Sequence, residues 1–286
     1  MLCKGGFTLR KWTSNHPALL KHLAPEDIEK NLLVNVGNEG VIKDLGSLWN
    51  STTDKLMFCS PINQHLALTK RSVLRVIASI YDPLGLLSPS TIQCKTFLQK
   101  LWQLKVDWDE LQEQWQRLQG NLCSIQSIQI DRLVISKHKL KEMELHGFSD
   151  ASEGAYGACI YIRSVDVLGH ITTRLLCSKS RVAPLKRLSL PRLELCAAML
   201  LADTYQASLK ALKATFNKVR FWTDSMIVLA WLKSPATQRK TFVANRVNHI
   251  QEATNVDDWN HVTSKENPAD LVSRGIDANI LKDLSL

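Results

Sequence analysis

The chain has 286 residues, 45% of them hydrophobic and 22% charged, enough for about two domains with cores of their own. That balance excludes a disulfide-stapled peptide, a low-complexity chain and wholesale disorder. With 36 basic residues against 27 acidic, the net charge is +9 and the pI about 9.2, which favours a polyanionic partner without identifying it.

In chain order, the first half reads as mixed and irregular. A Gly-marked start (KGGFTLRKW) precedes a short strand expected near 31–36, and LWNSTTDKLMF has the turn-rich look of a hairpin. Val73, Leu74, Ile77 and Ile80 share a helical face over 71–80, and Asp82-Pro83-Leu84-Gly85 ends that helix. Helices are expected next over 91–104 and 109–118, where Leu111, Trp115 and Leu118 fall at the spacing of a core-facing stripe.

The second half has a clearer order. Strands are predicted over 144–148, 155–163 (alternating at Tyr156, Ala158, Ile160 and Ile162) and 171–178, with a tight turn at Ser152-Glu153-Gly154. Ser189 is a candidate cap and Pro191 a first-turn residue for a long helix through Leu209. A strand over 219–222, helices over 225–232 and 242–253, and a strand near 259–262 follow. Asn267 and Pro268 open a last helix that stops at Gly275. Three strands, a helix, a strand, more helix, a strand and a final helix describe an α/β domain with a mixed sheet.

The charge is even by halves but not locally. Residues 1–143 carry 18 basic and 13 acidic groups and residues 144–286 carry 18 and 14, yet residues 163–192 alone hold a net +6. Arg174, Lys179, Arg181, Lys186, Arg187 and Arg192 in that segment are candidate nucleic-acid-binding residues. The seven cysteines are scattered, odd in number and never in a C-x-x-C pair, which fits a reducing, intracellular compartment and neither a disulfide framework nor a zinc ribbon. The longest apolar run, Leu195 to Ala202, is far short of the ~20 residues a bilayer requires. No membrane partner and no secretory signal are expected.

Four carboxylates fall where strands meet helices: Asp150 at the end of the first strand, Glu194 in the first turns of the long helix, Asp224 after the fourth strand and Asp270 in the first turn of the last helix. If they converge, two charges about 4 Å apart repel by roughly 4 kcal/mol at an effective dielectric of about 20, so cations or protons must accompany them. Oxygen-only ligands suit Mg²⁺ or Mn²⁺, and paired metals of this kind activate water in phosphodiester hydrolysis. Singly, each also has a structural reading, as a turn residue, a helix-terminus charge or a solvated helix position.

The runs ELHGFSDASEGAYGACIYIR, LLCSKSRVAPLKRLSLPRLELCAAMLLA, VRFWTDSMIVLAWL and WNHVTSKENPADLVSRG, in that order over 144–276, closely resemble the ribonuclease H-like domain of Bel/Pao-type retrotransposon polyproteins. The resemblance implies a mixed five-stranded sheet with helices over 144–286. It also implies an Asp-Glu-Asp-Asp site for two Mg²⁺ or Mn²⁺ ions: Asp150 in FSDAS, Glu194 in PRLEL, Asp224 in WTDS and Asp270 in NPADL. Asp150, Glu194 and Asp224 would hold one metal, Asp150 and Asp270 the other, and His261 resembles the mobile-loop His that assists proton transfer or product release. A structural reading of His261, as a strand-end residue bonded to backbone, stays open.

Residues 1–143 resemble the end of a reverse transcriptase palm, its thumb and the connection, an α+β region also labelled Pao retrotransposon peptidase. It is carried by KGGFTLRKWTSN, LGSLWN, TKRSVLRVIASIYDPLGLLSP and KTFLQKLWQLKVDWDE. No Y-x-D-D and no Asp-Thr/Ser-Gly occurs, so neither polymerase nor aspartic peptidase chemistry is expected, and the chain reads as an excised piece of a polyprotein. The implied activity is an endonuclease that cuts the RNA strand of RNA/DNA hybrids, with other polyprotein segments as further partners. The alternative is a catalytically inert, domesticated or decayed nucleic-acid-binding fragment.

Overall fold

Alternating side chains on three long strands organise the molecule. In the computed structural model, which describes residues 5–6, 8–28, 41–44, 47–59, 69–103 and 108–284, β5 (Leu140–Ala151), β6 (Ala155–Asp166) and β7 (Ile171–Val182) form an antiparallel meander. The shorter β8 (Lys218–Thr223) and β9 (Trp259–His261) extend it in parallel, giving the order β7-β6-β5-β8-β9. A mixed five-stranded sheet is thus present; β5 and β8 run beyond their expected bounds at both ends, and β6 and β7 at the C-terminal end. A separate antiparallel sheet in the order β1-β2-β3-β4 joins Val41–Asp44, Ser47–Asn50, Lys55–Met57 and Gln129–Asp131. The expected hairpin is its β2–β3 pair. The strand expected near 31–36 lies outside the described residues.

One face of the large sheet presents Leu145, Ala158 and Ile160 to α4 (Leu190–Leu212), α5 (Met226–Leu232) and α6 (Thr241–Ala253), with Leu195, Leu201, Phe221, Val247 and Ile250 filling the space between. Ser189 is the N-cap residue of α4, yet its hydroxyl makes no capping bond. The other face presents Phe148, Cys159, Tyr161 and Leu175 to α7 (Ala269–Arg274) and to helices from the first half: α1 (Lys70–Ala78), α2 (Ser88–Gln103) and α3 (Trp108–Ser124). The stripe of Leu111, Trp115 and Leu118 is core as expected: Trp115 stacks on Phe97 of α2 at 5.7 Å, in the same core cluster as Leu175 and Val272 of the second half. The core therefore runs across residue 144 without interruption. A short α8 (Ala278–Asp283) follows α7 and adds Ala278 and Leu281 to that core, so the helix ending at Gly275 is not the last.

Two glycines set the closest approaches. Gly85 has φ +70°, and a Cβ there would stand 1.9 Å from the Ser178 carbonyl oxygen. The Ser178 amide donates to the Leu84 carbonyl at 2.9 Å, so the Asp82–Gly85 turn covers the exposed edge of β7. Asp82 fixes that turn by accepting from the amides of Leu86 and Leu87 at 2.8 and 2.7 Å. Gly157, directly opposite Asp150 in the β5–β6 register, meets Val272 of α7, whose Cγ1 would lie 2.4 Å from an added Cβ.

Gly157→Ala is expected to cost about 1–3 kcal/mol by forcing α7 off the sheet, read from chemical denaturation. A fragment restricted to 144–286 leaves Phe148, Cys159, Leu175 and Val272 uncovered, and is expected to lack the single cooperative thermal transition of the full chain.

Candidate active site

The parallel β5–β8 register places Ser149 opposite Thr223, so Asp150 and Asp224 emerge side by side at the same sheet edge. Asp150 is 4% exposed, and its Oδ2 accepts from the Ser273 hydroxyl of α7. Asn267 ties the α7 approach to the same strand, donating to the Ser149 carbonyl at 3.1 Å and accepting from the Ala269 amide at 3.1 Å. Pro268 sits at the N-cap position of α7, so the expected Asn-Pro helix start holds with the boundary one residue later.

Glu194 arrives from the α4 side of the sheet, and its carboxylate accepts from the Ser225 hydroxyl. That hydroxyl also accepts from the Val228 amide, capping α5. Asp224 Oδ2 accepts from Ser264 at 2.6 Å, while Asp224 Oδ1 is buried with no hydrogen-bond partner. Asp270 Oδ1 accepts from Arg274 Nε at 2.6 Å, one turn along α7. His261 is exposed at the end of β9, opposite Thr223, which immediately precedes Asp224.

These carboxylates feel one another. Burial pushes the Asp150 carboxyl up to about 6; the Ser273 hydrogen bond pulls it down, and the charges of Asp224 and Asp270 push it further up. Burial also raises Glu194, opposed by the Ser225 bond and reinforced by the Asp224 charge. Asp270 and, more distantly, Asp150 and Asp224 hold Arg274 in its charged form.

The donor set suits a hard divalent cation: oxygen ligands only, in excess negative charge, with one buried acceptor, Asp224 Oδ1, lacking any donor. Among the described residues, however, no three His, Cys, Asp or Glu side chains stand in a metal-holding arrangement. The four carboxylates are turned instead onto Ser273, Ser225, Ser264 and Arg274. Sequence reasoning missed these four partners. Ser273 and Arg274 had a signal, lying three and four residues after Asp270 on a helix.

The basic candidates divide. Lys179 and Arg181 are exposed on β7, and Lys186 and Arg187 are exposed in the loop that leads to α4. Arg181 pairs with Tyr156, at the carboxylate end of the sheet. Arg192 lies 5.3 Å over the Phe242 ring, which Arg246 also covers at 3.6 Å. Arg174 is placed elsewhere: it is opposite Ile162, itself opposite Leu145, roughly 17 Å along the strand from Asp150. It is already paired with Asp131 at 3.3 Å.

For Asp150 the linkage sign is set by its raised folded-state value. The fold favours the protonated form, so its stabilising share is complete below the ordinary carboxyl range near 3.8 and is lost as pH rises through about 6. In chelator, the wild type is expected to lose on the order of 3 kcal/mol between pH 4 and 7.5 relative to Asp150→Asn. Parallel urea titrations of the two proteins measure this.

A family model described as the Pao retrotransposon-like RNaseH-like domain matches residues 69–225. No curated protein matches the chain. Among solved structures, RNase H1 from the halophilic archaeon Halobacterium salinarum NRC-1 is similar at 15% identity, over 46% of this chain and 94% of that one, with a TM-score of 0.29. LC11-RNase H1 in complex with RNA/DNA hybrid gives 16%, 49%, 99% and 0.30. A foamy viral protease-reverse transcriptase in complex with dsDNA gives 14%, 80%, 46% and 0.25. At such scores these likenesses carry no weight, and the assignment stands on the family match. Because that match spans more than half of the 286 residues and takes in Asp150, Glu194 and Asp224, the chain belongs to the Pao retrotransposon RNase H-like family.

Proposed function

We propose that this protein is a divalent-metal-dependent endonuclease that cuts the RNA strand of RNA/DNA hybrids. What supports the reading is that Asp150 feels the charges of Asp224 and Asp270 and Glu194 that of Asp224, with Asp224 Oδ1 buried and unpartnered. Asp150, Glu194 and Asp224 would hold one Mg²⁺ or Mn²⁺, and Asp150 with Asp270 a second. Two such cations supply water activation at neutral pH and charge stabilisation at the leaving 3′ oxygen.

The protein's own share is positional. Burial of Asp150 under α7 gives that carboxylate a fixed direction, and Asn267 holds the segment carrying Asp270 to β5. The serine hydroxyls on Asp150, Glu194 and Asp224 each bond one carboxylate oxygen, which leaves the other oxygen of each for a cation. His261, exposed opposite Thr223, would take or return a proton at the departing strand. Exposed Lys179, Arg181, Lys186 and Arg187 would meet phosphates, while selection of hybrid over DNA duplex would come from 2′-hydroxyl and groove-shape contacts.

The engagement of all four carboxylates by hydroxyl or guanidinium partners, with no metal-holding group among the described residues, favours the second reading, a nucleic-acid-binding fragment without catalysis. A labelled hybrid separates the two. With Mg²⁺ or Mn²⁺ the wild type is expected to cleave the RNA strand, and Asp224→Asn to lose roughly two to three orders of magnitude in rate. An intact hybrid bound by wild type, or equal cutting by Asp224→Asn, would reject the nuclease reading.

A further inference from the structure

Beside the carboxylates, α2, α3, the β5–β6 turn and α7 enclose a cleft of about 330 Å³. Its inner wall is shared with the site: Ser273, which lines it, bonds Asp150, and Arg274, which also lines it, bonds Asp270. Its outer wall comes from the first half of the chain, with Thr96 and Lys100 on α2 and Arg117 and Asn121 on α3. Lys100 is exposed, and the side chains of Arg117 and Arg274 are 77% and 66% exposed.

The charge in this cleft has a definite sense. Lys100, Arg117 and Arg274 are set against one carboxylate, Asp277. Asp277 is itself engaged by the Asn121 amide at 2.7 Å, Gln93 at 3.4 Å and Arg117 at 3.6 Å. Three cations and one acid line a pocket at the small end of ligand-site sizes, with Arg117 paired loosely to Asp277 and Arg274 to Asp270. Buried Phe97 and Leu118 also line the pocket, so the cations sit against apolar packing rather than on a loose loop. Such a pocket matches a compact anion with apolar edges, and the sugar-phosphate unit of a nucleic-acid strand has that form.

We propose that this cleft binds the sugar-phosphate backbone next to the scissile position, with Lys100 and Arg117 as its phosphate contacts. None of its cations belongs to the basic segment 163–192. The proposal rests on the hybrid reading above and adds to it a substrate handle supplied by helices outside the five-stranded sheet. A strand lying across the carboxylates and turning into the cleft passes Ser152 and Ser273 on the way.

The test uses the full chain carrying Asp224→Asn and a fluorescent RNA/DNA hybrid, with Kd measured by anisotropy across a salt series. Lys100→Ala with Arg117→Ala is compared with Lys210→Ala, on the last turn of α4, about 24 Å along that helix from Glu194. The double variant is expected to weaken binding on the order of tenfold at low salt and to lower the slope of log Kd against log salt by about 2. Lys210→Ala is expected to change neither. An unchanged slope overturns the proposal even if Kd rises, because a merely structural loss weakens binding without removing phosphate contacts. Groove-dependent binding by a wild type that never cleaves leaves the proposal standing and rejects the nuclease reading. Cleavage together with an unchanged slope rejects the groove alone.

Discussion

Val272 rests on the bare Cα of Gly157, and the geometry of the carboxylate edge follows from that contact. Gly157 is the residue opposite Asp150, so the height of α7 above the sheet is set at the point where the buried carboxylate needs a partner. With α7 this low, Ser273 reaches Asp150, and the Ser152 hydroxyl closes on the Ser273 carbonyl at 3.0 Å. Asp270, one turn earlier, then lies near enough for its charge to act on Asp150. A side chain on β6 at this level would separate the two acids and with them any shared ligand.

The same convergence works against the fold. Desolvation and like charge oppose ionising Asp150 and Glu194, and four acids at one edge would repel without compensation. Serine hydroxyls and Arg274 offset part of that cost locally. Asp224 Oδ1 is left out of the arrangement. Buried acceptors without donors are uncommon in native structures, and those that persist sit where a ligand or chemistry claims them.

The strands and helices of the second half, α8 apart, were legible from period and punctuation: Tyr156, Ala158, Ile160 and Ile162 alternate, and Asn267-Pro268 opens a helix as its chemistry dictates. The four acids were legible as element ends. Their serine partners were not, because a hydroxyl 31 or 123 residues away in sequence has no local pattern to betray it, whereas Arg274, one turn after Asp270, had one. The stripe of Leu111, Trp115 and Leu118 announced a buried face but not what lies against it, which proved to be α2 and the unforeseen α8. Arg174 shows the limit of counting charge along the chain. Strand register carried it to the far end of β7, where Asp131 neutralises it.

The joint between α7 and α2 reaches further than its size suggests. Ile276 donates its amide to the Pro89 carbonyl at 2.9 Å, its own carbonyl accepts from Ser90 Oγ at 3.1 Å, and Gly275 leaves no room for a Cβ against Gln93. Two segments 186 residues apart thus share one backbone seam, directly behind the acid on α7. Among relatives of this chain, residues 89–93 and 275–276 should drift as a unit, a change tolerated at one being conditioned by the other. The carboxylate edge is thus held partly by a helix that lies ahead of the five-stranded sheet in the chain.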